Sequence, residues 1–279
     1  MLTPYRTNPW LVCLLPFVVF MLVGSLEPVP PEAAPNMEQA AAKDSAKESD
    51  KDPEKPQPAA TEPVAEKSWF SLRIEYRHYP LIYTAKIVLT ALAMFFIWPG
   101  YRQYTGRIGW LAVVVGGIGA AVWIALATLQ HQWMPMLAEK TGIEWFKSLG
   151  QRSAFNPADQ MHGQFLLAHA FLLVRFVGLT LIVPIIEEFF LRGFVMRFVM
   201  AERWWESPFG VVNRTAVIVG TALPMLAHPQ ELVAALVWFS AVTWLMVRTR
   251  SIWSCVMAHG ITNLLLGIYV VASGAWWLM

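Results

Sequence analysis

The chain has 279 residues, 56% of them hydrophobic and 14% charged, with a formal net charge of +2. An average soluble domain carries about 25% charge, so the composition argues against a water-soluble globular protein and for a polytopic membrane protein. Nucleic-acid binding is disfavoured as well, because no basic stripe interleaved with aromatics is present. Tryptophan occurs 14 times, and many copies lie near the ends of apolar runs, as interfacial aromatics do.

In chain order, residues 9–26 form the first apolar run, PWLVCLLPFVVFMLVGSL, with Arg6 in front. At about 18 residues it is long enough to span a bilayer. Val23-Gly24-Ser25 ends in small residues and would suit a cleaved signal peptide, but an uncleaved signal anchor is the preferred reading. Residues 27–68 are rich in Pro, Ala, Glu and Lys, hold no aromatic, and carry more acids than lysines. Such a segment buries too little apolar area to offset its ordering entropy, so a disordered acidic linker is expected. From residue 69 a membrane domain follows, with apolar spans expected near 79–98, 108–130, 164–200, 211–228, 230–247 and 252–274. Together with the anchor this predicts an all-α bundle of about seven transmembrane helices around an intramembrane active-site cavity. Residues 164–200 are too long for one crossing at 1.5 Å per residue, so a break near Gly178 or Pro184 is expected. Residues 131–161, with Trp133, Pro135, Trp145 and several charges, read as an interfacial amphipathic loop.

Arg6, Arg102, Arg107, Arg197, Arg203, Arg248 and Arg250 fall on one side under this count, and the acidic linker on the other. The positive-inside rule then puts the N-terminus in the cytoplasm. Arg73 and Arg77 run against it. No internal repeat is evident, which weakens a transporter built from inverted repeats. Cys13 and Cys255 both fall in apolar runs and read as packing residues, with no disulfide framework or zinc cluster implied.

The chemistry is concentrated in LTLIVPIIEEFFLRGFVMRFVM. Two adjacent carboxylates at membrane depth are expensive and mark a functional site by default. Glu188 and Arg192 stand four apart, share a helix face and can pair. Glu187 lies about 100° round the helix and is left free for other work. The competing reading is a helix–helix salt bridge. His228, followed by Pro229, sits where a helix is disturbed, so its imidazole can face a cavity or be met by a backbone carbonyl. His259 and Asn263 stand at i and i+4, and Gly260 between them allows close backbone approach. An imidazole and an amide side by side can donate to a developing oxyanion or serve as interhelical polar glue. His131 and His162 read as solvated, His169 as packed, and Arg175 as a buried cation lining the cavity or pairing with an acid. No HExxH, GxSxG or P-loop occurs.

EEFFLR, a histidine in the next span and HGITN in the last resemble the CAAX prenyl endopeptidase-like, or CPBP, intramembrane proteases. Their pattern is EExxxR, then FxxxH, then HxxxN or HxxxD. Glu187 to Arg192 match the first motif and His259 to Asn263 the third. His228 matches the histidine of the second, while Pro224 stands where the family has phenylalanine. The resemblance covers roughly residues 79–279. PLIYTAKI, RFVGLTLIVPIIEEFFLRGF and the N-terminal anchor look most like the bacterial subgroup associated with PEP-CTERM and exosortase sorting systems. The resemblance implies an intramembrane endopeptidase of a bacterial inner membrane, acting on a membrane protein or peptide. Glu187 with His228 would activate a water, His259 and Asn263 would stabilise the oxyanion, and Glu188 with Arg192 would orient the site. The family is described both as glutamate-dependent and as metal-dependent. A divalent metal such as zinc wants three protein ligands and an open position, and Glu187, His228 and His259 would be the set. The metal-free account is preferred, because the Asn263 amide suits an oxyanion better than a metal. The alternative from another class is a catalytically inactive membrane binding or immunity protein of the same fold, which has no reason to keep Glu187, His228 and His259 together.

Overall fold

The structure, a computed structural model, describes residues 3–28, 74–149 and 154–278, and among them there is no strand. From residue 29 onward, the segment read as a linker lies outside the described residues. Seven apolar helices carry the architecture: α1 Pro9–Gly24, α2 Tyr79–Phe96, α3 Trp110–Thr141, α4 Phe165–Phe198, α5 Arg214–Leu226, α6 Leu232–Thr249 and α7 Ile252–Ser273. Five of them, α2, α3, α4, α6 and α7, are long and apolar enough to cross a membrane, while α1 and α5 are shorter. The chain is thus an all-α multi-pass membrane protein, and the expected count of seven crossings is not confirmed.

Local chemistry sets the helix ends. The Asn8 side chain caps α1 with Pro9 in the first turn, Asn213 caps α5, and Ser251 caps α7, each satisfying backbone N–H groups that a helix start leaves orphaned. Helix α7 ends at Gly274 with φ 73° and α3 at Gly142 with φ 71°, the left-handed terminator that glycine adopts without Cβ strain. Between 17% and 44% of each spanning window is buried. Large apolar side chains such as Leu92, Phe95, Ile118, Leu166, Leu173 and Ile218 stand exposed. Apolar surface on this scale suits lipid and not water.

Two cores meet at α4. One joins α3, α5, α6 and α7 through Trp123, Ala127, Ala216, Trp238, Val242 and Ala258, and takes Leu191 and Met196 from α4. The other joins α1 and α2 through Val12, Cys13, Tyr83 and Ile87, and takes Phe171, Ile186 and Phe189 from α4. Glu187 and Glu188 therefore sit at the seam between two hydrophobic clusters. Helix α1 is part of the bundle: Phe17 stacks on Phe190 at 3.8 Å between ring centroids. Cys13 and Cys255 are buried and unbridged, as packing residues are.

The structure departs from the sequence reading in three places. Helix α3 does not stop near residue 130 but runs through Pro135 to Thr141, so the first third of the expected interfacial loop is helix. Its apolar periodicity fades there, and the continuing backbone hydrogen bonds give no sequence signal. His169 is exposed and its Nδ1 hydrogen-bonds the Phe165 carbonyl at 2.8 Å; its face of α4 points outward, so it is not a packed core residue. The expected break in 164–200 takes the form of two π-helical stretches, Gly178–Ile182 and Phe189–Val195, with the chain staying helical throughout. Proline explains the first stretch. Pro184 has no N–H to give, and the preceding Val183 N–H reaches back five residues to the Gly178 carbonyl. Single π turns of this kind recur at functional sites.

Candidate active site

The four residues expected to converge do so. Glu187, His228, His259 and Asn263 line one cavity of about 580 Å³, bounded also by Trp123, Trp238 and Phe239. The two adjacent acids have separate surroundings. The side chain of Glu187 is 30% accessible and that of Glu188 only 1%, as the 100° turn between neighbours on a helix dictates. Glu188 Oε2 accepts from Arg192 Nη1 at 2.6 Å, and Arg192 Nη2 donates to the Phe239 carbonyl at 3.3 Å. Both residues are fully buried, so neither charge would be tolerable alone.

One link is invisible in the local sequence. The second oxygen of Glu188, Oε1, lies 2.9 Å from His259 Nδ1. The carboxylate accepts, so Nδ1 carries the proton and donates. That fixes the ring and presents Nε2 to the cavity, 3.9 Å from Glu187 Oε2. Glu188 thus ties Arg192 on its own helix to His259 on α7. Its partners are two, not one.

His228 is held from two sides. Its Nδ1 lies 2.7 Å from the Pro224 carbonyl, so Nδ1–H donates there and Nε2 is left as an acceptor. The turn that follows it is pinned by the buried Gln130 of α3. Gln130 Nε2 donates to the carbonyls of Leu149 and Gln230, each at 2.8 Å, and its Oε1 accepts from Val233 N at 3.3 Å. Sequence reading missed Gln130; an amide within an apolar helix was the available signal. The aromatic surroundings of His228 come from Trp123 and Phe239, each 5.7 Å away between ring centroids. Pro224 stands where the motif has phenylalanine, and its carbonyl is the one that the His228 ring meets.

Asn263 Nδ2 donates to the Leu179 carbonyl at 2.9 Å. In π geometry that carbonyl would take its proton from residue 184, which is proline, so the amide satisfies an acceptor the bulge leaves bare. Asn263 therefore serves as interhelical glue while keeping a second N–H. Close by, a Cβ on Gly260 would stand 2.7 Å from the Thr180 carbonyl oxygen, closer than real contacts allow. Gly260→Ala is expected to push α7 off α4, cost about 1–3 kcal/mol as overpacking does, and separate His259 from Glu187. Thermal unfolding of the purified full chain in detergent measures this; an unchanged melting temperature would contradict the close packing.

Of the other residues singled out, Arg175 shares the cavity and the histidines lie outside its lining. His131 stacks on Trp277 at 4.2 Å and His162 is exposed. Arg175 is buried, lines the same cavity and donates to the Phe155 carbonyl at 2.7 Å. As a metal set, Glu187, His228 and His259 do not fit: among the described residues no three His, Cys, Asp or Glu side chains are grouped to hold an ion.

Helical bundle, shared cavity and buried acid–arginine pair together describe a multi-pass membrane protein with a polar site inside its bundle. A family model described as type II CAAX prenyl endopeptidase Rce1-like matches residues 169–265. That stretch holds Glu187, Glu188, Arg192, His228, His259 and Asn263, and it bears out the resemblance read from the motifs. The subgroup associated with PEP-CTERM sorting is not confirmed. No curated protein and no solved structure matches the chain.

Proposed function

We propose that the protein is an intramembrane endopeptidase that hydrolyses a peptide bond of a membrane-associated protein with a water activated by Glu187 and His228. The observation that supports this best is the single cavity shared by Glu187, His228, His259 and Asn263, with Glu188 buried behind it as a scaffold. The partly accessible Glu187 carboxylate takes a proton from the water. His228 Nε2, a bare acceptor, takes the water's other hydrogen bond and aligns it. The hydroxide attacks the peptide carbonyl. The oxygen that becomes negative is met by the second N–H of Asn263, on the helix face that it shares with His259. Such preorganised donors stabilise the transition state more than the substrate. The proton held by Glu187 then passes to the leaving amine, and the site is restored. Arg192 holds Glu188 in place, and Glu188 keeps His259 in register.

The arginine distribution supports an N-terminus in the cytoplasm, and the resemblance supports a bacterial inner membrane. Substrates without a prenyl group are the expected class there, a membrane-anchored or sorted protein tail. The test is cleavage by the full chain in proteoliposomes loaded with membrane proteins, with new N-termini read by mass spectrometry. Termini that appear with the wild type and vanish with His228→Ala support the reading. Equal termini from both proteins would leave the inactive binding or immunity protein as the better account. Asn263→Ala should retain some cleavage, reduced roughly 10²–10³-fold for the lost oxyanion donor. A reduction in proportion to folded protein alone would show that Asn263 serves only the Leu179 carbonyl.

A further inference from the structure

The catalytic cavity has a second polar wall that the peptidase reading does not use. Lys86 lies within α2, inside the apolar run YPLIYTAKIVLTALAMFF, and is 6% exposed. Its ammonium sits 4.4 Å from the centroid of the Phe20 ring and 4.6 Å from that of Tyr83. Its counter-ion comes from the chain just after α1: the Glu27 carboxylate forms an ion pair with Lys86. Glu27, Lys86 and Tyr83 line the same cavity as Glu187 and His228. The Tyr83 hydroxyl is buried and has no hydrogen-bond partner among the described residues. A buried O–H without an acceptor costs about 1–3 kcal/mol, and a lysine inside a membrane helix is a functional-site signal in its own right.

An ammonium and an unmet hydroxyl side by side are two donors for one anion. Glu27 answers the first and leaves the second unsatisfied. It lies just past the end of α1 at Gly24, in a turn where its N–H donates to the Gly24 carbonyl at 3.0 Å, so its side chain reaches the cavity from outside the helices. We propose that Lys86 and Tyr83 form a carboxylate-binding subsite of this cavity, which receives an acidic group of the membrane peptide substrate and is filled in this structure by Glu27. The inference rests on the peptidase reading for what the guest is, and on the ion pair and the unmet hydroxyl for the subsite itself. Two sources supply the same chemistry: an acidic side chain within the substrate, or the carboxylate at its C-terminal end. Glu27 then acts as an internal competitor, and cation–π contact with Phe20 and Tyr83 holds the Lys86 ammonium in place while the guest changes.

The test separates binding from cleavage. Full-length Glu27→Ala and the milder Glu27→Gln are purified in detergent, and thermal unfolding is followed with sodium acetate against sodium chloride at equal ionic strength. Acetate is expected to raise the melting temperature saturably in both variants and not in Glu27→Gln/Lys86→Gln. An acetate shift equal to that of chloride, or one that survives loss of Lys86, overturns the subsite. Binding of three labelled apolar peptides to Glu27→Gln is then measured by fluorescence anisotropy. One carries an internal glutamate and an amidated end, one a free C-terminus and no acid, and one a glutamine and an amidated end. A carboxylate peptide should bind about tenfold or more tightly than the neutral one, as a charge-assisted contact provides, and which carboxylate wins identifies the source. Equal binding of all three overturns the proposal. Peptide binding without any cleavage would count against the peptidase and leave the subsite standing. Cleavage that ignores the acidic group in wild type would count against the subsite and leave the peptidase standing.

Discussion

Glu187→Gln is expected to abolish cleavage while leaving the folded bundle intact. The substitution keeps side-chain volume and hydrogen-bonding atoms but removes the proton acceptor. Loss of a general base costs about 10²–10⁴-fold. Here the same group generates the nucleophile, so activity should fall to the upper end of that range or beyond it. Folding should be spared for a geometric reason. The Glu187 side chain is 30% accessible on the cavity, and its Oε2 lies 3.9 Å from His259 Nε2, too far for a hydrogen bond. Cleavage of membrane-protein substrates in proteoliposomes, normalised to protein with a wild-type melting temperature, is the measurement. Full activity at normal expression would remove Glu187 from the role of base and revive the non-enzymatic reading.

Glu188→Gln should do the reverse and strike folding first. The Glu188 carboxylate accepts from Arg192 with one oxygen and from His259 with the other, at 2.6 and 2.9 Å. A glutamine has one acceptor oxygen and one amide nitrogen, so it can meet one of these donors. Either Arg192 keeps a charge with no anion, or His259 loses its Nδ1 acceptor and must move its proton to Nε2. Arg192 is fully buried, and its Nε already lacks a partner among the described residues. Unpairing a buried ion of this kind costs about 3–5 kcal/mol, much of the roughly 5–15 kcal/mol by which folded proteins are stable. Yield of monodisperse protein and its melting temperature should both drop sharply. Glu188→Gln/Arg192→Met, which removes the orphaned charge too, should recover part of the stability and none of the activity, because His259 stays unanchored. A Glu188→Gln protein as stable as wild type would show that the pair is dispensable and that Glu188 does not organise the site.

The contrast between these two neighbours is partly legible in the sequence itself. A helix repeats every 3.6 residues, so Glu188 and Arg192 must share a face and Glu187 must leave it. The same periodicity puts His259 and Asn263 together, and Gly260 between them signals the close approach that its contact with the Thr180 carbonyl fulfils. Composition alone argues for the membrane, because apolar surface on this scale has no place in water, and the order of three short motifs points to the family match over residues 169–265.

Other relations depend on how helices far apart in sequence pack, and no local rule encodes that. Glu188 meets His259 across 71 positions of chain and Gln130 meets the turn after His228 across 100. Lys86 is one charge in an apolar span by sequence, and only the fold sets Glu27 beside it. Pro184 suggests a break, but not that the helix widens into a π turn there, nor that Asn263 of α7 supplies the hydrogen bond that proline withholds from the Leu179 carbonyl. Sequence determined which residues share a helix face, since backbone geometry fixes that within a few residues. Only the tertiary structure decided which faces meet, since that is set by the fit of whole helices whose apolar sides are nearly interchangeable to hydrocarbon.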